Sequence, residues 1–128
     1  MILPNIAVLL AAYNGTKWIG EQLTSIINQS DVTVDVFVSV DLSEDGTYEW
    51  CLLQASIYPN IIVLDYGERF GGAAKNFFRL IHDVDFSGYD YIALSDQDDV
   101  WLVNKLSRGV DVIRSNCLDA FSSDVIAF

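Results

Sequence analysis

Five valines at every second position, Val32, Val34, Val36, Val38 and Val40, alternate with Thr33, Asp35, Phe37 and Ser39. A period of two marks an extended strand, because successive side chains leave a pleated backbone on opposite sides. The segments on either side of it have a different period. Within Thr16 to Gln29, Ile19, Leu23, Ile26 and Ile27 recur at i, i+4, i+7 and i+8, one face of a helix. Asp45 is placed to cap a second helix from about Thr47 to Ile57, which Pro59 and Asn60 end. The same alternation runs along the rest of the chain. Ile6 to Ala11 is an unbroken apolar run closing at Ala12-Tyr13-Asn14-Gly15, the pattern of a buried strand leading into a turn. Ile61 to Asp65 and Tyr89 to Leu94 predict two more strands, and Gly67 to Gly72 a loop. Helices are predicted over Ala73 to Asp83, with Phe77, Leu80 and Ile81 on one side, and over Asn104 to Ser115. Asp124 to Phe128 reads as a strand that has only begun.

Strands alternating with single helices call for a parallel sheet with right-handed crossovers and helices on both faces. At 128 residues, the chain has the length of one domain. With 52% hydrophobic and 20% charged residues it has ample apolar surface for a core, which excludes disorder. The mean hydropathy of +0.30 is high for a small soluble domain and hints at truncation, with one face normally packed against something missing. In such sheets ligands bind beyond the carboxyl ends of the strands. The segments after Ala11, Val40, Asp65 and Leu94 are therefore expected to converge on one crevice.

Charge narrows the ligands. Eighteen acidic against seven basic residues give a net charge of -11, which argues against general affinity for nucleic acid or an anionic membrane. Anions can still bind, through a divalent cation, a helix N-terminus or a local basic cluster. Cys51 and Cys117 fit neither a metal-ligand pair nor a dense disulfide framework, and read as buried or free thiols of a reducing cytoplasm. Met1 to Ala12 is interrupted by Pro4 and Asn5 and has no basic region before it, so it reads as a strand rather than a leader. No apolar stretch reaches the ~20 residues that span a bilayer. The expectation is a cytoplasmic domain, peripheral at the inner membrane face in the full-length protein.

Three strand ends bring polar groups to the expected crevice: Tyr13 and Asn14, then Asp41, then Asp96, Asp98 and Asp99. Carboxylates this close repel unless a cation or strong donors neutralise them, so Asp96-Gln97-Asp98-Asp99 suggests a hard metal such as Mg²⁺ or Mn²⁺. Solvated helix capping is the competing reading of the same turn. Taken singly, Tyr13 also fits core packing and Asp41 a turn. Arg69, Lys75 and Arg79 cluster beside Gly71-Gly72 and a helix N-terminus, where they could steady an anionic diphosphate. Lys75 and Arg79 are also i, i+4, the spacing of a solvated face. His82, the only histidine, reads as a surface or dipole-complementing residue rather than a base.

The order Ala12-Tyr13-Asn14-Gly15, Asp41-Leu42-Ser43-Glu44-Asp45-Gly46-Thr47 and Ser95-Asp96-Gln97-Asp98-Asp99-Val100-Trp101 with Lys105-Leu106 resembles the family 2 glycosyltransferases of GT-A fold. The Ser-Asp-Gln-Asp-Asp-Val-Trp version looks most like bacterial rhamnosyltransferase-type enzymes of surface-polysaccharide assembly. The resemblance implies a GT-A type α/β fold, Rossmann-like, over residues 1–128 as the N-terminal, nucleotide-sugar-binding part of a longer domain. It implies Ala12 among the nucleotide-binding residues, Tyr13 as a wall of the base pocket and Asp41 as acceptor for a base N–H. Asp96 is implied beside the ribose and the metal, and Asp98 as the principal metal ligand. The sequence departs from the family at Val40 and Leu42, which replace the usual Asp and Gly around Asp41, and at Val103, where Pro is frequent. Asn76 matches an Asn often seen in this family segment.

The implied reaction transfers a sugar with inversion from a nucleoside diphosphate donor, dTDP- or UDP-linked, to a hydroxyl of a saccharide or lipid-linked acceptor. The catalytic base is an acidic residue of the later half, expected beyond Phe128, so this portion alone is expected to be inactive and to self-associate through an uncovered apolar face. A non-catalytic nucleotide-sugar-binding module is the alternative. A signalling receiver domain, also doubly wound, needs acidic residues after its first strand, where this chain has Ala-Ala-Tyr.

Overall fold

A computed structural model of the chain describes residues 2–96 and 100–116. The elements run β1 (Asn5–Ala12), α1 (Ile19–Ile27), β2 (Thr33–Val40), α2 (Thr47–Ile57), β3 (Ile61–Val63), α3 (Ala73–Asp83), β4 (Tyr91–Asp96) and α4 (Lys105–Asn116). The strands form one sheet in the order β3-β2-β1-β4, every pairing parallel. The expected strand at Asp124 to Phe128 lies outside the described residues.

β1 is the spine. Paired on both edges, it keeps Ile6 through Ala12 at 7% exposure or less, which is why this strand reads as a continuous apolar run and does not alternate. Its alternate side chains feed two cores. Ile6, Val8, Leu10 and Ala12 face the side packed by Ile19, Leu23 and Ile26 of α1, Cys51 of α2, and Leu106 and Val110 of α4. Leu9 and Ala11 face the other side, against Leu80 of α3 and Val84 just past it. Burying each of these larger side chains is worth about 1.5–3 kcal/mol. Helices therefore lie on both faces, three on one and one on the other.

Local sequence explains the ends. α1 begins at Ile19, later than its periodicity suggests, because residues 16–18 form a turn in which Gly15 O accepts the N–H groups of both Trp18 and Ile19. Asp45 does reach the start of α2, but from one place earlier than a standard cap. Gly46 turns the chain at φ 81° and Asp45 Oδ1 accepts the N–H of Thr47. β4 runs later than its apolar residues alone indicate, because Ser95 and Asp96 stay paired to Leu10 and Ala11.

Candidate functional site: a cleft at the sheet's switch point

The chain winds outward from β1 through β2 to β3, then returns to place β4 on the other side of β1. Connections leave in opposite directions at that point, which opens a crevice at the carboxyl ends of the central strands. A cleft of about 510 Å³ lies there, lined by Ala11, Ala12 and Tyr13 after β1, Asp41 after β2, Asp96 ending β4, and Arg69, Gly71, Gly72, Ala73 and Asn76 from the loop and helix after β3.

Tyr13 is carried on a laced turn. Asn14, at φ 43°, donates its N–H to Ser43 Oγ at 3.0 Å and accepts the N–H of Glu44 at 2.9 Å. Gly15 N–H donates to Thr47 Oγ1, and Thr16 donates to Asp45 through both its N–H and its hydroxyl. Burial alone would push the Asp45 carboxyl up; the bonds from Thr47 and Thr16 outweigh it and hold the group below the usual carboxylate range. Behind this turn Tyr66 brackets Ser43, accepting its N–H and donating to its carbonyl, and stacks on Tyr48 at 4.2 Å. Tyr13 itself is 47% exposed at the cleft wall, the presentation needed to stack on a ligand ring.

Asp41 is built in. It is 5% exposed, and its Oδ1 accepts the N–H of Leu42 at 2.9 Å and of Phe70 at 2.7 Å, while Oδ2 accepts the N–H of Gly71 at 3.1 Å. The carboxylate thus folds the loop after β3 back over the cleft. Gly71 and Gly72, at φ 82° and 148°, supply the backbone conformations for that return. A carboxylate offers about four acceptor positions, so Asp41 keeps roughly one for a ligand, on Oδ2. Ala12 lines the cleft beside Tyr13. Its carbonyl accepts the N–H of Asp41 and the Asn76 amide, while its methyl belongs to the core shared with Leu10.

Asp96 is set beside Ala11 by the strand pairing and lines the cleft. Asp98, the expected principal metal ligand, and Asp99 lie outside the described residues. Among the described residues no group of three or more His, Cys, Asp or Glu side chains could hold a metal ion. Of the acidic turn, the described residues place Asp96 at the cleft.

The basic cluster divides. Arg69 lines the cleft, and Lys75 is exposed without lining it. Arg79 serves neither a diphosphate nor a solvated face: its side chain is 14% exposed and turned toward the sheet. Nη1 donates to Ser39 Oγ, Nη2 to the Asp65 carbonyl and Nε to Asp83. His82 is 88% exposed in its side chain and contacts Asp83, in keeping with a surface role. With Arg79, it holds the Asp83 carboxyl below the usual range.

The family model for glycosyl transferase family 2 matches residues 7–128. The chain belongs to that family. It is 49% identical over 120 residues to a dTDP-rhamnosyl transferase, RfbG, of Shigella flexneri, covering 93% of this chain and 42% of that protein. Over 111 residues it is 22% identical to WfgD of Escherichia coli, a UDP-Glc:alpha-D-GlcNAc-diphosphoundecaprenol beta-1,3-glucosyltransferase, covering 87% of this chain and again 42% of the relative. The chain thus spans less than half the length of these relatives. Among solved structures it resembles S. aureus TarS at TM-score 0.73 and 22% identity, over 88% of this chain and 20% of that one. It also resembles the Pyrobaculum calidifontis mannosyltransferase PcManGT, in complex with GDP-Man and Mn2+, at TM-score 0.71 and 24% identity, over 88% and 33% of the two chains. At these identities the structures establish the shared fold: a GT-A-like, mostly parallel sheet with helices.

Within this family 2 frame, sequence reasoning passed over Ser39 and gave no inward role to Asn76 or Arg79. Ser39 occupies a polar slot in the valine alternation and Asn76 an inward position of α3, and both are at most 2% exposed. A polar residue on the buried side of an amphipathic helix is the signal that would have found Asn76.

Proposed function

We propose that the chain is the donor-binding portion of a glycosyltransferase that moves a sugar from a nucleoside diphosphate to a saccharide or lipid-linked acceptor in surface-polysaccharide synthesis. The observation that carries this reading is the convergence of Tyr13, Asp41 and Asp96 on one cleft at the switch point. Tyr13 would stack on the base, and the open position of Asp41 Oδ2 would accept one base N–H. A pyrimidine imide presents one such N–H. Guanine presents two neighbouring donors and would need both carboxylate oxygens, one of which is already filled by Leu42 and Phe70. This favours dTDP or UDP over GDP, in line with the donor named for the Shigella relative.

Asp96 and Asp98 would hold Mg²⁺ or Mn²⁺, whose chemistry is to neutralise the departing diphosphate where charge develops. Arg69 and the N-terminus of α3, which no side chain caps, would face the phosphates from the other wall. The transfer would be inverting, with the base supplied by residues outside this portion. No helix among the described residues is long and apolar enough to cross a membrane, and a cytoplasmic site, peripheral at the membrane's inner face, is the proposed location.

The test is calorimetric titration of the chain with dTDP, UDP and GDP, with Mn²⁺ and with EDTA. Binding of dTDP or UDP that needs Mn²⁺, is lost in Asp98→Asn and exceeds GDP binding by about tenfold or more is the expected result; tenfold corresponds to about 1.4 kcal/mol. Equal binding in EDTA would refute the metal assignment, and equal binding of GDP the reading of Asp41.

A further inference from the structure

At the wall of the cleft, which Asn76 lines, begins a buried polar network with no part in the ligand contacts proposed above. Asn76 is 2% exposed on α3 and crosses to two strands at once. Its Nδ2 donates to the Ala12 carbonyl at the end of β1, at 3.3 Å, and to the Ser39 carbonyl on β2, at 2.9 Å. Both partners are carbonyls and can only accept, so the amide nitrogen must face them, and Oδ1 is left to accept the Ser39 hydroxyl at 2.5 Å. Ser39 Oγ in turn accepts Arg79 Nη1 at 2.9 Å. Arg79 continues to the third strand end, donating Nη2 to the Asp65 carbonyl at 2.7 Å, while its guanidinium lies 5.4 Å from the centre of the Phe70 ring. Phe70 is the residue whose N–H Asp41 accepts.

Two side chains one helical turn apart thus tie the ends of β1, β2 and β3 to a single helix. Each tied end leads directly into part of the cleft: Ala12 into Tyr13, Ser39 into Asp41, and Asp65 into the loop bearing Arg69 and Gly71. Ordinary packing would not need this. α3 already buries Leu80 against Leu9 and Ala11, and polar groups at 2% exposure are costly unless every bond is made. A network that is fully satisfied and located only at the sheet's ligand edge fixes geometry there.

We propose that Asn76 and Arg79 are positioning residues of the donor pocket: they hold the three strand ends in the register that brings Tyr13, Asp41 and Arg69 together. The proposal rests on the donor-binding reading above for its ligand, but not for its structural readout. Asn76→Ala removes both crossings to carbonyls, and Arg79→Lys replaces the planar fork with a single ammonium that cannot reach Ser39 and Asp65 together.

Two measurements are made on the wild-type chain and both variants, at a temperature where circular dichroism shows each fully folded. The first is the Kd for dTDP with Mn²⁺. The second, without nucleotide, is hydrogen exchange at the amides of Asp41, Phe70 and Gly71. Both variants should raise Kd by about tenfold or more and speed exchange at these amides by a similar factor. Val110→Ala, a core change on the opposite face, is the control and should leave both readouts unchanged. Lower melting temperatures with wild-type Kd and wild-type exchange would reduce the pair to a stability element and overturn the proposal. Should Asn76→Ala fail to fold, Arg79→Lys decides alone, since Asn76 and its bonds remain in place. If the wild-type chain binds no nucleotide, the donor-binding reading fails, and exchange at Phe70 and Gly71 still tests the brace.

Discussion

Replacing Asp41 by Asn changes one atom and tests the cleft's construction. The carboxylate accepts three backbone N–H groups, two on Oδ1 and one on Oδ2. An Asn side chain keeps one acceptor oxygen, and it loses least by leaving that oxygen toward Leu42 and Phe70. Its NH₂ then faces the N–H of Gly71, donor against donor. Leaving a buried donor unmatched costs about 1–3 kcal/mol, and hydrogen bonds to a charged acceptor are worth about 1.5–3 kcal/mol. A loss of about 2 kcal/mol in stability follows, or roughly 8 °C in Tm at about 4 °C per kcal/mol for a chain of this length. The same NH₂ would meet the imide N–H of a pyrimidine, so the Kd for dTDP should rise by about ten- to a hundredfold. Thermal unfolding followed by circular dichroism gives the first quantity and calorimetry with Mn²⁺ the second. An Asp41→Asn chain with unchanged Tm would show that the carboxylate does not hold the loop, and unchanged affinity that it does not read the base.

Two further outcomes follow from burial. Burial, with the Asp45 charge second, pushes the Cys51 thiol up to about 12, so its thiolate fraction at pH 8 is on the order of 10⁻⁴. In a Cys117→Ser chain, Cys51 should resist a thiol reagent until urea unfolds the protein, and rapid stoichiometric labelling of the native chain would contradict the placement. On the α3 side of the sheet Ile92 and Leu94 are 51% and 55% exposed, beyond β1 and β2, where α3 packs. This chain should therefore self-associate in sedimentation experiments, with Ile92→Lys plus Leu94→Lys shifting it toward monomer; a wild-type monomer at high concentration would dispose of that argument.

The fold was legible because most elements show one period and the others are bounded by turn residues or form a short unbroken apolar run. Helix α2 runs Thr47–Ile57, the span its flanking turn residues predict, and α3 runs Ala73–Asp83, the span its spacing predicts. The parallel sheet follows from the alternation itself. What could not be read was which polar residues turn inward. Arg79 shares the i, i+4 spacing of an exposed pair with Lys75, and only the approach of β2 and β3 to α3 shows that one is turned toward the sheet and the other exposed. Gln22 is a similar case: it sits on the apolar face of α1 at 0% exposure, donating to Ser95 Oγ at 2.5 Å, so the start of the acidic turn is held from behind by a residue its own periodicity leaves out. Local pattern reports which side of a helix is covered; it does not report what lies across the gap.

The electrostatics of the cleft tie these placements to the reaction. Asp41 is surrounded by three N–H dipoles and Arg79 is engaged with Asp83, so neither side chain presents uncompensated charge to a ligand. What faces the space between is Arg69 and the start of α3 on one wall and Asp96 on the other. A diphosphate entering a chain of net charge -11 would gain from the first wall and be repelled by the second. A divalent cation on the Asp96 side would offset the acidic charge there. The proposed metal dependence would then answer the diphosphate charge common to all such donors, whichever sugar the donor carries.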